Sequence, residues 1–422
     1  MADKSRRANV GAVLAVLAVL MFFSDAFCGP ARAQEQWLGY RSARSAWEHI
    51  GSTTGQKLCT QDKAPDGVAM PAFNDKEPLF ALWKVDIGKL TGPAARDGGL
   101  WLALDRSGKG GLYDLLYIDT NGNGSLADEK PIRDEHAGFE WQEMVFFANF
   151  DAVRLALPGD DGTITYHAGF HYQREGTGPH KIYVSANCWY EGVVTIAGRR
   201  MLCSLIDGNA NWRFGERSAD SNQSDGYILR PFDPGRGPQE LIDAKWTPVG
   251  QYVLVDGKYY TMDIAPDGAT VTFTQASPAV GRIIPGQGVS SLKIAGPAGT
   301  FELDGNSGFV EVPQGQYRLV GYEVVRKDAN GVAWCAHGAG GDGDKAIVVR
   351  AGSETKLGFG EPFTWLLEAS PDGPGQHSLH LSLRDANARG ARMTRDGDMP
   401  PINLRITNAD KTYDCTFTME YG

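Results

Sequence analysis

The chain has 422 residues, with 51 acidic and 41 basic side chains for a formal charge of −10, and no basic run follows its first seven positions. An acidic surface of this kind argues against nucleic acid and anionic lipid as partners and suits divalent cations. Its 53 glycines and 22 prolines punctuate short runs of Val, Ile, Leu, Tyr and Thr, which excludes a helical bundle and predicts a mainly β chain of antiparallel sandwich and meander domains in tandem.

Residues 1–33 read as a signal peptide. Lys4, Arg6 and Arg7 precede a 14-residue apolar run at 10–23, and Ala31-Arg32-Ala33 supplies small residues for cleavage near Ala33. The run is shorter than the roughly 20 residues that span a bilayer, and no later run is longer. The mature chain is therefore expected without a transmembrane segment, exported to the periplasm or to the extracellular space or cell surface.

A short helix is expected at 42–49. Strands follow at 100–104, 112–118, 153–157, 182–185, 192–196 and 201–206. Between 251 and 275, three alternating runs separated by Asp256-Gly257 and Pro266-Asp267-Gly268 predict a meander. Residues 278–288, rich in Pro and Gly, read as a linker, and 338–344 as an exposed glycine-rich loop. Further strands are expected at 292–294, 308–312, 317–325, 346–350, 363–367, 378–383, 402–407 and 413–420. With a second break near Gly360-Glu361-Pro362, the expected units are 34–150, 151–280, 289–360 and 361–422.

Two segments carry chemistry. Asp119, Asn121 and Asn123 stand at positions one, three and five of a loop, with Gly124 at six, Ser125 at seven, Leu126 at eight, then Asp128 and Glu129. The order recurs 88 residues later as Asp207, Asn209, Asn211, Trp212, Arg213, Phe214 and, at position ten, Glu216. Oxygen side chains at one, three and five, joined by the carbonyl at seven (Ser125, Arg213), can wrap a hard cation such as calcium. Both segments resemble the first half of an EF-hand loop. Position twelve departs from that family, with Lys130 and Ser218 where the family has a bidentate Glu, so Asp128, Glu129 or Glu216 would have to close the coordination. Flanking helices are missing, and the loops are thus nearer to the calcium motifs of dockerin-like and thrombospondin-type secreted repeats. Calcium is the expected cofactor at the first loop and a weaker expectation at the second, where Trp212 replaces the turn glycine. The competing reading is that Asn and Asp here only make tight turns. Asn123-Gly124-Ser125 and Asn222-Gln223-Ser224 also spell glycosylation sequons.

The unit Val312-Pro313-Gln314-Gly315-Gln316-Tyr317 resembles a turn and strand of prealbumin-like or carboxypeptidase-regulatory-like sandwiches, over about 289–358. The alternating runs at 379–383 and 402–406 resemble an Ig-like sandwich. As a whole the chain resembles secreted bacterial multidomain β-proteins, which implies surfaces for binding more than chemistry.

Five cysteines follow the signal, Cys59, Cys188, Cys203, Cys335 and Cys415, with no CxxC unit. Zinc ribbons and thioredoxin-like redox motifs are unsupported, and burial or bridging are both open. No GxSxG, HExxH or Walker motif occurs. His167 and His171 share a strand face near His180, but isolated histidines explain them better than zinc. The leading expectation is an exported, calcium-binding, non-enzymatic binding or structural protein, with an extracellular glycan or protein as partner. The alternative is a secreted carbohydrate-active hydrolase, which needs two carboxylates and aromatic platforms such as Trp83, Trp101, Trp141, Trp189 or Trp246.

Overall fold

The computed structural model describes residues 34–43, 55–86, 89–108, 112–134, 139–141, 145–159, 162–218, 223–235, 246–341, 344–374 and 376–419. The signal expected at 1–33 lies outside them, as do Asn222 and residues 44–49 of the expected helix; Ser42 itself ends strand Gly39–Ser42.

The fold is mainly β, in several antiparallel sheets. Local pattern and structure agree where apolar runs are bounded by turn residues. Gly99–Asp105, Leu115–Ile118, Arg199–Ile206 and Ile402–Thr407 are strands. The meander forms from Tyr252–Val255, Lys258–Ile264 and Thr270–Ala276. Its first turn places Asp256 and Gly257 at φ of 50° and 73°, the paired left-handed residues that match strand twist in a tight hairpin.

Two expectations are corrected by strand pairing, and two expected boundaries fall within continuous structure. The linker at 278–288 contains strand Val280–Ile284, which pairs with Val310–Pro313 and, in parallel, with Glu354–Lys356; Ile283 is fully buried. Gly338, expected in a loop, lies in strand Ala333–Ala339. The boundary at 150/151 falls inside strand Val145–Gly159, and one core joins Leu58, Leu102 and Ile118 to Phe170, Ile206 and Ile228. The boundary at 360/361 is likewise bridged: Ala333–Ala339 pairs with Gly390–Arg395 inside an eight-stranded sheet. Residues 361–422 therefore do not close on themselves, and Ile402–Thr407 and Asp414–Met419 form a separate hairpin. For Val280–Ile284 and Ala333–Ala339, main-chain hydrogen bonding to a remote strand, which leaves no mark in local composition, decides the assignment.

Strand Gly162–Glu175, legible in the sequence only as the shared face of His167 and His171, runs well beyond them. It pairs along Val145–Gly159 with a register shift between Ala168 and Phe170. The extra residue lies on Val145–Gly159, a three-residue step there opposing a two-residue step here, so the inward alternation of Tyr166, Ala168, Phe170 and Tyr172 runs on unbroken. A Cβ at Gly169, at the bulge, would stand 2.9 Å from Asn187 Oδ1.

The sheet of Leu79–Lys84, Gly99–Asp105, Leu115–Ile118 and Ile132–Arg133 positions both loops. One face sends Trp83, Leu102, Leu104 and Leu116 into the core shared with Phe170 and Trp212. The other packs Phe80, Trp101, Ala103 and Tyr117 under Val68 and Leu126. A sheet covered on both faces reads as a continuous apolar run, as 99–104 and 115–118 do. Cys59, Cys188, Cys203, Cys335 and Cys415 are all free thiols, with Cys188 and Cys203 buried.

Candidate functional site

Each loop begins at the residue after a strand, Leu115–Ile118 for Asp119 and Arg199–Ile206 for Asp207. Strand pairing ends there, and the next backbone N–H groups need acceptors. Asp119 supplies them: Oδ1 accepts from Asn123 N at 3.1 Å and Oδ2 from Gly124 N at 2.8 Å. Asp207 repeats the arrangement, accepting from Asn211 N at 3.1 Å and Trp212 N at 2.7 Å. Position five follows suit, since Asn123 Oδ1 accepts from Ser125 N at 2.8 Å and Asn211 Oδ1 from Arg213 N at 2.9 Å.

Position ten completes the match. Asn121 Nδ2 and Asn123 Nδ2 both donate to Asp128 Oδ2, at 3.3 and 2.8 Å. Asn209 Nδ2 and Asn211 Nδ2 both donate to Glu216 Oε2, at 2.7 Å each. The side chains at three, five and ten are therefore joined in each loop, while position one holds the backbone N–H groups beside them. Glu129 sits at the edge of the first, where its carboxylate accepts from Thr120 N and Oγ1 at 2.8 and 2.9 Å. Arg213 enters through its backbone, its side chain pointing away to an ion pair with Asp86, whereas the Ser125 side chain also hydrogen-bonds Asp128.

Backbone handedness matches as well. Positions four and six have positive φ in both loops: Gly122 (72°) and Gly124 (77°) in the first, Ala210 (52°) and Trp212 (74°) in the second. The expected penalty at Trp212 is therefore present, at roughly 1–2 kcal/mol for a residue with a Cβ. Packing outweighs it. The Trp212 indole stacks on Tyr166 at 4.4 Å and 14° and lies 5.8 Å from Trp83. Trp83 Nε1 in turn donates to Ala210 O at 2.7 Å. In the first loop the eighth residue does the anchoring, through buried Leu126.

Charge is handled differently in the two loops. Burial pushes the Asp119 carboxyl up against the pull of its amide donors, and burial with repulsion from Asp119 and Asp128 raises Glu129. Hydrogen bonds from Ser125 and Asn123 hold exposed Asp128 below the usual range. In the second loop, Tyr166 Oη donates to Asp207 Oδ2 at 2.8 Å. Asp225, unmarked in the sequence reading, accepts from Gly208 N at 3.1 Å and Glu216 N at 2.8 Å. Burial, then mutual repulsion, push Asp225 upward, and burial does the same to Asp207. Asn209 Oδ1 is buried and finds no donor among the described residues. A cleft of about 550 Å³, lined by Asp86, Arg213, Glu216 and Ser218, opens the loop to solvent.

Two further Asp-x-Asn turns show what a purely structural version looks like. Asp328 Oδ1 accepts from Asn330 N and Val332 N, and Asp385 Oδ1 from Asn387 N and Arg389 N. Both end strands, at Gly315–Lys327 and His377–Arg384. Neither has a carboxylate at position ten, which is His337 after Asp328 and Thr394 after Asp385. The capping function is general in this chain; the converging carboxylate belongs to the two loops at 119 and 207.

The remaining candidates separate. His167 Nδ1 pairs with Tyr40 Oη at 2.8 Å, His171 Nδ1 with Asn149 Oδ1 at 2.6 Å and His180 Nδ1 with Tyr172 Oη at 2.8 Å. Each histidine has its own partner, and burial lowers all three. Trp83 and Trp101 are buried. Trp189 lines a cleft of about 880 Å³ with Arg41, Glu191, Arg230, Phe232 and Asp233. Comparison of the chain with protein-family models, with curated proteins and with solved structures returns no match.

Proposed function

We propose that this chain is an exported, calcium-binding protein with a binding or structural role, in which the loops at 119–129 and 207–216 clasp a divalent ion to stabilise the β domains. The observation that carries this reading is the shared hydrogen-bond pattern at positions one, three, five and ten, against the simpler turns at Asp328 and Asp385. Asp119, Asn121, Asn123, the Ser125 carbonyl, Asp128 and Glu129 would hold the ion in the first loop. Asp207, Asn209, Asn211, the Arg213 carbonyl and Glu216 would hold it in the second. Calcium takes oxygen ligands, so the ion would displace the Nδ2-to-carboxylate hydrogen bonds and draw on the second lone pair of amide oxygens that keep their backbone N–H donors. The orphan Asn209 Oδ1 is an acceptor that a cation satisfies. The ion would neutralise carboxylates that burial and repulsion disfavour and would tie the strand end to the returning loop.

Calcium titration of the mature chain by calorimetry tests this, with Asp128→Ala and Glu216→Gln as solvent-facing variants. Two binding events are expected, one lost in each variant, with a rise in melting temperature in the wild type. No heat and no thermal shift at millimolar calcium would sink the reading.

A second reading, a carbohydrate-binding or carbohydrate-hydrolysing protein, draws support from the cleft that places Trp189 with Glu191 and Asp233. Aromatic faces and carboxylates are the side chains that sugars need. Glycan-array binding that disappears in Glu191→Gln would favour it; an array without signal would remove it.

A further inference from the structure

Strands Gly315–Lys327 and Ala333–Ala339 form an antiparallel pair in the eight-stranded sheet, with Glu323 directly opposite His337 and Val325 opposite Cys335. Alternation places Tyr322, Val324 and Ala336 in the core beneath, so Glu323, Cys335 and His337 share the outer face. Their ligand atoms all lie within 4.8 Å of one another, and among the described residues they are the one such trio of His, Cys, Asp or Glu. His337 Nδ1 is 3.2 Å from Glu323 Oε1 and 3.9 Å from Cys335 Sγ.

We propose that Glu323, Cys335 and His337 form a zinc-binding site on the outer face of this sheet. Zinc bonds of about 2.3 Å to sulfur and about 2.0–2.1 Å to nitrogen or oxygen, at a tetrahedral angle, separate sulfur from nitrogen by roughly 3.6 Å and nitrogen from oxygen by roughly 3.3 Å. The two separations from His337 differ from these by a few tenths of an ångström, and the Glu323 and Cys335 ligand atoms lie within 4.8 Å, within reach of side-chain rotations. The mixed sulfur, nitrogen and oxygen set suits zinc and not calcium, which takes oxygen alone. Three protein ligands leave a fourth position for water, the pattern of an open site instead of a closed structural one.

The support around the trio is firm. The two strands pair continuously from Gly321 with Ala339 to Lys327 with Ala333, and buried Tyr322 and Val324 pin the inner face. Ser291 Oγ donates to Glu323 Oε2 at 3.5 Å, which leaves Oε1 facing His337. Binding exchanges the Cys335 thiol proton for the metal: the S–H bond breaks, the S–Zn bond forms, and the proton leaves to water, with no change in oxidation state.

Zinc titration of the full chain, read by competition with a chromogenic chelator, tests the site. Wild-type protein is expected to take up zinc at this site, and Cys335→Ser and His337→Ala each to weaken that binding at least tenfold. Glu323→Gln is expected to weaken it less, because water can replace one carboxylate oxygen. Cys59→Ser, Cys415→Ser and Asp119→Ala should leave it unchanged, which separates this site from the two exposed thiols and from the proposed calcium loops. Cobalt in place of zinc should give a thiolate-to-metal charge-transfer band in the wild type. Unchanged zinc affinity in both Cys335→Ser and His337→Ala, or a cobalt complex without that band, would overturn the proposal.

Discussion

The two loops follow one backbone path in two different surroundings. In the first, Gly122 and Gly124 take the left-handed positions, and Pro93 Cδ stands only 2.5 Å from where a Cβ on Gly124 would be. In the second, Ala210 and Trp212 occupy the same positions, and the indole fills the core beside Tyr166 and Trp83. Glycine is therefore demanded in the first loop by a neighbour as well as by φ, while in the second the conformation is imposed by Asp207 and stabilised by packing. The lesson is that the carboxylate at position one sets the turn, and the residue at six adapts to what lies outside it.

Removing that carboxylate should break the comparison most severely. Asp207→Ala leaves Asn211 N, Trp212 N and Tyr166 Oη without their acceptor, and at about 1–3 kcal/mol per buried unsatisfied group the loss should reach several kcal/mol in chemical denaturation. Asp119→Ala leaves Gly124 N without its acceptor, while Asn123 N keeps Asn121 Oδ1, and should cost less. Equal losses would show that Tyr166 contributes nothing through its hydroxyl.

Position six separates the loops next. Trp212→Ala should cost roughly 3–5 kcal/mol, the range for truncating a buried aromatic, although it leaves the strained φ in place. Gly124→Ala should cost about 1–3 kcal/mol, from positive φ and the Pro93 contact together. A Trp212→Ala loss smaller than that of Gly124→Ala would reverse the account given for the two loops.

Calcium should sharpen the comparison by a smaller amount. At a hundredfold excess over the dissociation constant one site adds about 2.7 kcal/mol, and Asp128→Ala should remove the part due to the first loop in thermal melts. Finally, the ion-free protein in chelator should respond to pH through the second loop. The folded-state values of Asp207 and Asp225 are raised above the unfolded ones. The folded chain thus holds protons more tightly, so the pair's contribution is complete below the ordinary carboxylate range and is lost as pH rises from there through the raised values. The slope is about 1.4 kcal/mol per pH unit for each proton released. Asp225→Asn should flatten that slope; an unchanged profile would show that the pair does not titrate as its burial implies.

Much of this was legible in the residues themselves. The spacing of Asp, Asn, Asn and a later carboxylate marked both loops, and alternation with Asp-Gly turns marked the meander, because turn chemistry and side-chain period act over a few positions. Asp225 was not legible: it lies 18 residues after Asp207 and meets the loop only through strand Gly226–Pro231 pairing with Arg199–Ile206. Glu323 was hidden for the same reason, since Cys335 and His337 share a strand but their carboxylate partner depends on register with the strand before it.

What the amino-acid order alone determined is the mainly β character, the turns, and the two places where oxygen side chains gather. What only the tertiary structure decided is which segments share a core, where Trp212 puts its indole, and which side chains meet across the sheet. Propensity and periodicity are properties of neighbours along the chain. Register and burial are set by hydrogen bonds and apolar contacts between residues far apart in it, and those have no local signature.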